Sequence, residues 1–178
     1  MTGAGASGPG WGNGKATAVL FAREGAKVFA IDINPEAAED TRKIIAGEGG
    51  DCTVHIADIT KDEQVQALVK ACLAKYGRID ILHNNVGVYE TGSIETRDVA
   101  YWDRVNAINM TSMFLMCKHV VPVMVKQGQG GSVINLGSIA SIRGIAPDYS
   151  IYAATKTAVL GLSRSLALEY AKHKIRFN

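Results

Sequence analysis

Cysteine, proline and tryptophan are scarce in this chain of 178 residues, which holds 3, 4 and 2 of them. Cys52, Cys72 and Cys117 are widely separated in largely apolar stretches, a spacing that matches no zinc, haem or redox motif. An odd set without pairs fits a reducing compartment, where a buried thiol behaves as a small hydrophobe. An excess of one charge is lacking too. Lysine plus arginine number 19 against 17 for aspartate plus glutamate, a net of +2. No run of five like charges occurs, and Lys172 to Arg176 reads as a solvated helix end rather than a nucleic-acid patch. No apolar run approaches the ~18 residues that spanning a bilayer requires. The opening MTGAGASGPGWGNG has neither the basic nor the apolar region of a leader. The expectation is a cytoplasmic protein with no nucleic-acid partner, no membrane partner and no metal.

What is present suits a folded domain. At 47% hydrophobic and 20% charged, a chain of this length buries roughly 70% of its unfolded surface and needs no staple. Without internal repeat or linker, residues 1–178 read as one domain. Beyond the glycine-rich opening, helical and extended patterns alternate. Residues 14–24 form a helix stopped by Gly25, and 27–32 form a strand ending in an acid. Asn34 and Pro35 then cap and start a helix running to 46. A strand over 52–58 follows, and Thr60 with Glu63 has the capping-box spacing that opens a helix to Tyr76. Strand 79–83 leads through a turn-rich segment to a long helix over 98–126, bent by Pro122. Strand 132–137, a loop and a helix over 150–172 complete the series. Such alternation predicts right-handed parallel crossovers, hence an α/β fold with a doubly wound, Rossmann-like parallel sheet.

A literal Gly-x-Gly-x-x-Gly occurs at Gly3, Gly5 and Gly8, yet Pro9, Gly10 and Gly12 follow and no helix can start there. The helix opens at Gly12-Asn13-Gly14, where exposed amides can hold a pyrophosphate. An ATPase-type phosphate loop is excluded, because Pro9 and Ala16 stand where it needs a glycine and a hydroxyl. Asp32, 20 residues beyond Gly12 at the end of the next strand, is positioned to accept hydrogen bonds from ribose hydroxyls. A floppy terminus and an ordinary polar strand end are the bland alternatives for these two features.

Tyr152 and Lys156 are four apart on the last helix and leave the same face. Tyr170 and Lys174 repeat that spacing, so one pair is a decoy. Tyr152 begins its helix just after the loop carrying Ser138, and loops at the carboxyl ends of parallel strands line the ligand crevice. Tyr170 has no such partner. A phenol ordinarily titrates near 10, and a nearby lysine cation favours its ionised form. The serine hydroxyl can orient the oxygen that gains or loses the proton.

These residues resemble the short-chain dehydrogenase/reductase family over almost the whole chain. TGAG at 2–5 with GNGKATA at 12–18 is similar to its cofactor loop, and Asp58 before Ile59 to the acidic residue near the adenine. HNNVG at 83–87, which includes Asn85 and Gly87, is similar to the family's NNAG. VNAINMTSMF puts Asn109 on the catalytic asparagine, and NLGSIAS and YAATK supply the serine, tyrosine and lysine. The resemblance implies hydride transfer between a nicotinamide cofactor and a small carbonyl or alcohol substrate. Tyr152 would exchange the substrate proton, Lys156 would lower the tyrosine pKa and hold the ribose, Ser138 would bind the substrate oxygen, and Asn109 would fix a relay water. Cofactor contacts would come from Gly3, Gly12, Gly14, Asp32, Asp58, Ile59, Asn85, Gly87, Tyr152 and Lys156. Asp32 favours NAD over NADP. A homodimer or homotetramer is implied, with the helices over 98–126 and 150–172 packed against their copies.

Some features depart from the family's pattern. The interval from Gly3 to Gly12 is longer than the family's loop, so contacts of residues 4–11 do not carry over. The loop from Ser138 to Tyr152 is longer as well, which keeps Ser141 as an alternative serine. The chain begins at the glycine loop without the family's first strand and stops as a strand follows the last helix. It is therefore expected to be incomplete at both ends and poorly stable, with a slot between the strands at 27–32 and 79–83. A catalytically inactive dinucleotide-binding fragment or sensor is the alternative reading. A nucleoside-cofactor methyltransferase would share the glycine loop and the acid, but would not need Tyr152, Lys156, Ser138 and Asn109 together.

Overall fold

Asn34 illustrates how local chemistry sets the elements. Its side-chain oxygen accepts from the amides of Glu36 and Ala37 while Pro35 takes the first helical position, satisfying donors that a helix start leaves open. The computed structural model describes residues 1–178. Its elements are α1 (Asn13–Arg23), β1 (Val28–Asp32), α2 (Pro35–Gly47), β2 (Cys52–Ile56), α3 (Asp62–Tyr76), β3 (Ile81–Asn84), α4 (Val99–Asn106), α5 (Ser112–Gln127), β4 (Gly131–Asn135), α6 (Ser150–Tyr170) and β5 (Ile175–Phe177). All strand pairs are parallel: β1 with β2, and β4 with both β3 and β5 in the order β3-β4-β5. The doubly wound sheet expected from the alternation is the fold observed.

Between the two groups of strands stands a single residue. Thr2, fully buried, bridges Ile31 of β1 and Asn84 of β3, both in parallel sense. Its amide donates to the His83 carbonyl, and the Ile31 amide donates to the Met1 carbonyl. The expected slot is thus closed at its upper end, and β1 and β3 do not pair directly. Below Thr2 lies a cavity of about 380 Å³ lined by apolar residues including Phe29, Leu68, Met116 and Val120. The main core packs α3 and α5 over the sheet through Leu68, Val69, Met116, Val120 and Met124. Across it, Asn84 donates to Asn135 (2.9 Å) and Asn135 to Ser163 (2.9 Å), a buried polar ladder joining β3, β4 and α6.

Two local expectations are corrected. Thr60 and Glu63 form no capping box: α3 starts at Asp62 after Lys61, and the Thr60 hydroxyl donates instead to Asp58 (2.7 Å). The nearer carboxylate wins the hydroxyl. The long helix is also interrupted at a different point, with a π-helical turn at Ala107–Thr111, while α5 runs through Pro122 to Gln127. Val99–Gln127 is long and apolar enough to cross a membrane by length and composition, although no uninterrupted apolar run announces it. Here Met113, Leu115, Met116, Val120, Val121 and Met124 are buried in the core. The three cysteines are free, and burial pushes the Cys117 thiol up to about 12.

Candidate active site

The carboxyl ends of the parallel strands open into one cavity of about 780 Å³. At one end, α1 begins at Asn13 after Gly12, with no side chain capping its first amides. Those amides and the helix dipole make the start of α1 attractive to an anion. The literal glycine fingerprint is indeed not where the helix begins. Gly14 is required because a β-carbon there would overlap the Gly3 carbonyl oxygen. Lys15, which the sequence did not single out, is buried, pairs with Asp40 and lies 5.6 Å from the Trp11 ring, pinning the loop from behind.

Asp32 ends β1 against this loop. One carboxylate oxygen accepts from the Gly5 amide (2.8 Å), the other from the Asn34 amide (3.0 Å). Further along, Asp58 accepts from the Thr60 amide and hydroxyl (2.9 and 2.7 Å). Asn85 donates from its side chain to the Gly3 carbonyl (3.0 Å), tying the loop after β3 to the glycine loop. Gly3, Gly12, Gly14, Asp32, Asp58, Ile59, Asn85 and Gly87 all line the cavity.

At the other end Tyr152 and Lys156 project from the first turns of α6, and Ser138 follows β4; all three line the same cavity. Lys156 is 3% exposed, donates to the Leu136 carbonyl (2.7 Å) and stands 5.9 Å from the Tyr152 ring centre. Burial holds its ammonium below the ordinary lysine value. Gly87 permits that position, since a β-carbon there would lie 3.2 Å from the ammonium and 3.6 Å from the Asn109 oxygen. The Ser141 hydroxyl is turned away, donating to the Lys156 carbonyl (2.8 Å), so of the two serines it is Ser138 that borders the cavity.

Asn109 lies in the π turn, 1% exposed. Its amide donates to the Val88 carbonyl (2.9 Å) and the Thr155 hydroxyl (3.1 Å), and its oxygen accepts from the Val88 amide (2.8 Å). Both donor hydrogens are engaged with protein, so the side chain braces the Val88 loop against α6. Thr155, one residue before Lys156, was missed; nothing in its spacing marks a hydroxyl that faces back into the protein. Tyr170 belongs elsewhere: the helix ends with it, Lys174 adopts φ 57, and the tyrosine packs near His173 and Phe177. The second tyrosine–lysine pair therefore does not share a helix face.

This geometry joins an anion-attracting helix start, two carboxylates at strand ends and a buried lysine beside a tyrosine. Comparison with known proteins identifies the family. A sequence model described as short chain dehydrogenase matches residues 4–178. An uncharacterized oxidoreductase of Thermotoga maritima is 40% identical over 172 residues, covering 97% of this chain and 67% of its own length. Levodione reductase of Leifsonia aquatica is 38% identical over 175 residues, covering 97% and 65%. The crystal structure of carveol dehydrogenase from Mycobacterium avium in complex with NAD superposes with a TM-score of 0.92 at 28% identity, over 100% of this chain and 67% of that one. The chain thus spans about two thirds of the length of these relatives. With the sheet, the cavity and the match running over nearly every residue, this chain belongs to the short-chain dehydrogenase/reductase family.

Proposed function

We propose that this chain forms the cofactor-binding and catalytic part of an NAD-dependent oxidoreductase acting on a small carbonyl or alcohol substrate. The observation that carries the reading is the single cavity bordered by the α1 start and Asp32 at one end and by Ser138, Tyr152 and Lys156 at the other. A dinucleotide fits this set of residues. The uncapped amides of α1 suit its pyrophosphate, the Asp32 carboxylate suits a ribose with free hydroxyls, and Asp58 and Ile59 flank the adenine side. When bound, the nicotinamide supplies the hydride donor or acceptor.

The residues of the chain handle the proton. In reduction Tyr152 gives its hydroxyl proton to the substrate oxygen, and in oxidation it takes that proton back. Ser138 donates a hydrogen bond to the same oxygen and fixes its direction. Lys156, anchored on the Leu136 carbonyl, holds positive charge beside the phenol as its proton leaves and would hold the ribose of a bound nicotinamide nucleotide. Asn109 positions the loop at Val88 and, through the free lone pair of its oxygen, a relay water. The fused acid and amide contacts around Asp32 leave no basic partner for a 2′-phosphate, which supports NAD over NADP.

The relatives support the reaction class but name different substrates, so they do not identify this one. We further propose a cytoplasmic location and a homodimer or homotetramer through α4–α5 and α6, supported by exposed Phe114 (51%) and Leu168 (84%). The test is a rise in NADH fluorescence on adding the protein, followed by turnover with a panel of ketones and aldehydes. Binding without turnover would favour the alternative of a dinucleotide-binding module, and absence of binding would refute the proposal.

A further inference from the structure

Three tyrosines meet beside the cavity, two of which, Tyr89 and Tyr152, line it. Tyr89 and Tyr149 stack nearly parallel, with ring centres 5.9 Å apart and an interplanar angle of 19°. Both also face Tyr152, at 5.8 Å and 60° from Tyr89 and at 6.2 Å and 76° from Tyr149. They come from different segments, the loop after β3 and the loop before α6. Neither was marked by the sequence as belonging to the site.

The backbone is committed to this arrangement. Asp148, immediately before Tyr149, adopts φ 63, a left-handed turn conformation that aspartate tolerates. Its carbonyl accepts from the Gly92 amide (3.2 Å), stitching the two tyrosine-bearing loops together. Tyr89 nevertheless stays 61% exposed. A ring that meets both Tyr149 and Tyr152 and is yet left in water is poorly explained by core packing alone.

The charges nearby select no ion. Glu90 is paired with Arg104 (2.7 Å) and Arg97 (3.6 Å). Arg143 and Asp148 of the loop before α6 are of opposite sign, Asp98 is engaged in capping α4 at the Tyr101 amide, and Glu95 is the remaining acid of the loop after β3. Ile142 and Ile145 of the same loop are 66% and 43% exposed, adding apolar surface. Aromatic faces favour flat partners, which stack with little loss of freedom, over flexible chains of the same size.

We infer that Tyr89 and Tyr149 form a stacking wall beside Tyr152 that selects uncharged, flat ring ketones and the matching ring alcohols over open-chain ones. The inference rests on the substrate site proposed above, and it makes these two tyrosines determinants of specificity rather than catalytic residues. The wall acts by holding the plane of a ring so that its carbonyl oxygen meets the Tyr152 hydroxyl.

The test measures dissociation constants of two nine-carbon ketones, 1-indanone and 2-nonanone, by ligand-observed saturation-transfer NMR. The 178-residue chain is used with and without NADH, beside Tyr149→Phe, Tyr149→Leu and Tyr89→Leu, each checked for its melting temperature. Wild type and Tyr149→Phe should bind indanone about tenfold more tightly than nonanone, and each leucine variant should lower that ratio about three- to tenfold. Equal affinity for the two ketones, failure to bind either, or a preference that survives both leucine variants would overturn the wall. NADH binding with equal ketone affinities sinks the wall alone. Ring preference in a protein that leaves NADH fluorescence unchanged sinks the oxidoreductase reading alone.

Discussion

Lys156 reaches the carbonyl oxygen of Leu136 with its ammonium, 2.7 Å away, joining the second turn of α6 to the end of β4. This bond fixes a cation beneath the Tyr152 ring, where a free lysine would swing toward water. The first prediction concerns the tyrosine itself. Tyr152→Phe should lower turnover by about 10²- to 10⁴-fold while NADH still binds, and Tyr170→Phe should leave turnover within about twofold, as its packing near His173 and Phe177, away from the cavity, implies. Steady-state kinetics beside fluorescence titration would check both. A Tyr152→Phe protein keeping more than about a tenth of the activity would contradict its role as proton donor.

Gly87→Ala tests the crowding around the lysine. The added carbon would sit 3.2 Å from the ammonium, which must give by a few tenths of an ångström, and at an ordinary contact distance of 3.6 Å from the Asn109 oxygen. A displacement near 1 Å at a reacting group costs about 10²-fold in rate, and this one is a fraction of that. Turnover should fall by about threefold to tenfold, with the melting temperature changed by only a few degrees. Unchanged kinetics would show that Lys156 needs no such room.

Asp32→Ala should cut the preference for NAD over NADP by about tenfold or more, because the carboxylate that repels a 2′-phosphate is gone. It should also weaken binding of both, since the Gly5 amide loses its 2.8 Å acceptor. Dissociation constants of the two reduced cofactors measure this. An unaltered ratio would remove Asp32 from the specificity assignment.

Acid should destabilise the chain in a window that His83 helps to set. Burial lowers the imidazole below its ordinary 6.5, and the nearby Met1 amino group, itself lowered to about 6 by burial, adds to the effect. The ring lies edge-on to Phe21 at 5.8 Å, and its Nδ1 has no partner. Below pH 6.5 the unfolded chain takes up protons that the folded chain resists, so stability falls as pH drops through that range and is restored above it. His83→Leu should reduce the loss of melting temperature between pH 7 and pH 5 by about 2–4 °C. An identical pH profile in the variant would assign the effect elsewhere.

The cavity under Thr2 gives the fifth prediction. The facing edges of β1 and β3 present backbone groups and apolar side chains to a space of about 380 Å³. Five added residues of β-branched, apolar type ahead of Met1 should enter as a parallel strand and raise the melting temperature by about 5 °C or more. A glycine–serine extension of equal length should not. Equal melting of the two would mean that the groove does not accept a strand.

The fold was legible because apolar periodicity and turn residues change together along this chain. Asn34-Pro35 and the acid ending KVFAID each specify local structure through contacts within a few residues. The α1 start was legible for the same reason, as proline and glycine between Gly8 and Gly12 forbid an earlier helix. What escaped depended on contacts across the fold. Tyr89 and Tyr149 carry no mutual spacing signal, because two loops must first be stitched at Gly92 and Asp148. The role of Thr155 toward Asn109 crosses from α6 to the π turn, and the choice between Ser138 and Ser141 rests on which hydroxyl the Lys156 carbonyl captures. Thr60 was misread because its carboxylate competitor, Asp58, precedes it by only two positions.

The π turn at Ala107–Thr111 has a consequence for length rather than for composition. Each residue advances a helix by about 100° of rotation, so a turn holding one residue more than an α turn offsets everything after it by that angle. Asn109 turns to Val88 and to Thr155 of α6, whereas Met113, Met116 and Met124 enter the core with α3, although spacings of 4, 7 and 15 residues would put all four on one face of an uninterrupted α-helix. Substitutions at neighbouring surface positions leave this phase untouched. Deleting any one residue between 107 and 111 would not: either Asn109 swings away from Val88, or Met113, Met116 and Met124 rotate out of the core. Apart from Asn109, this stretch should therefore accept changes of residue while refusing changes of count.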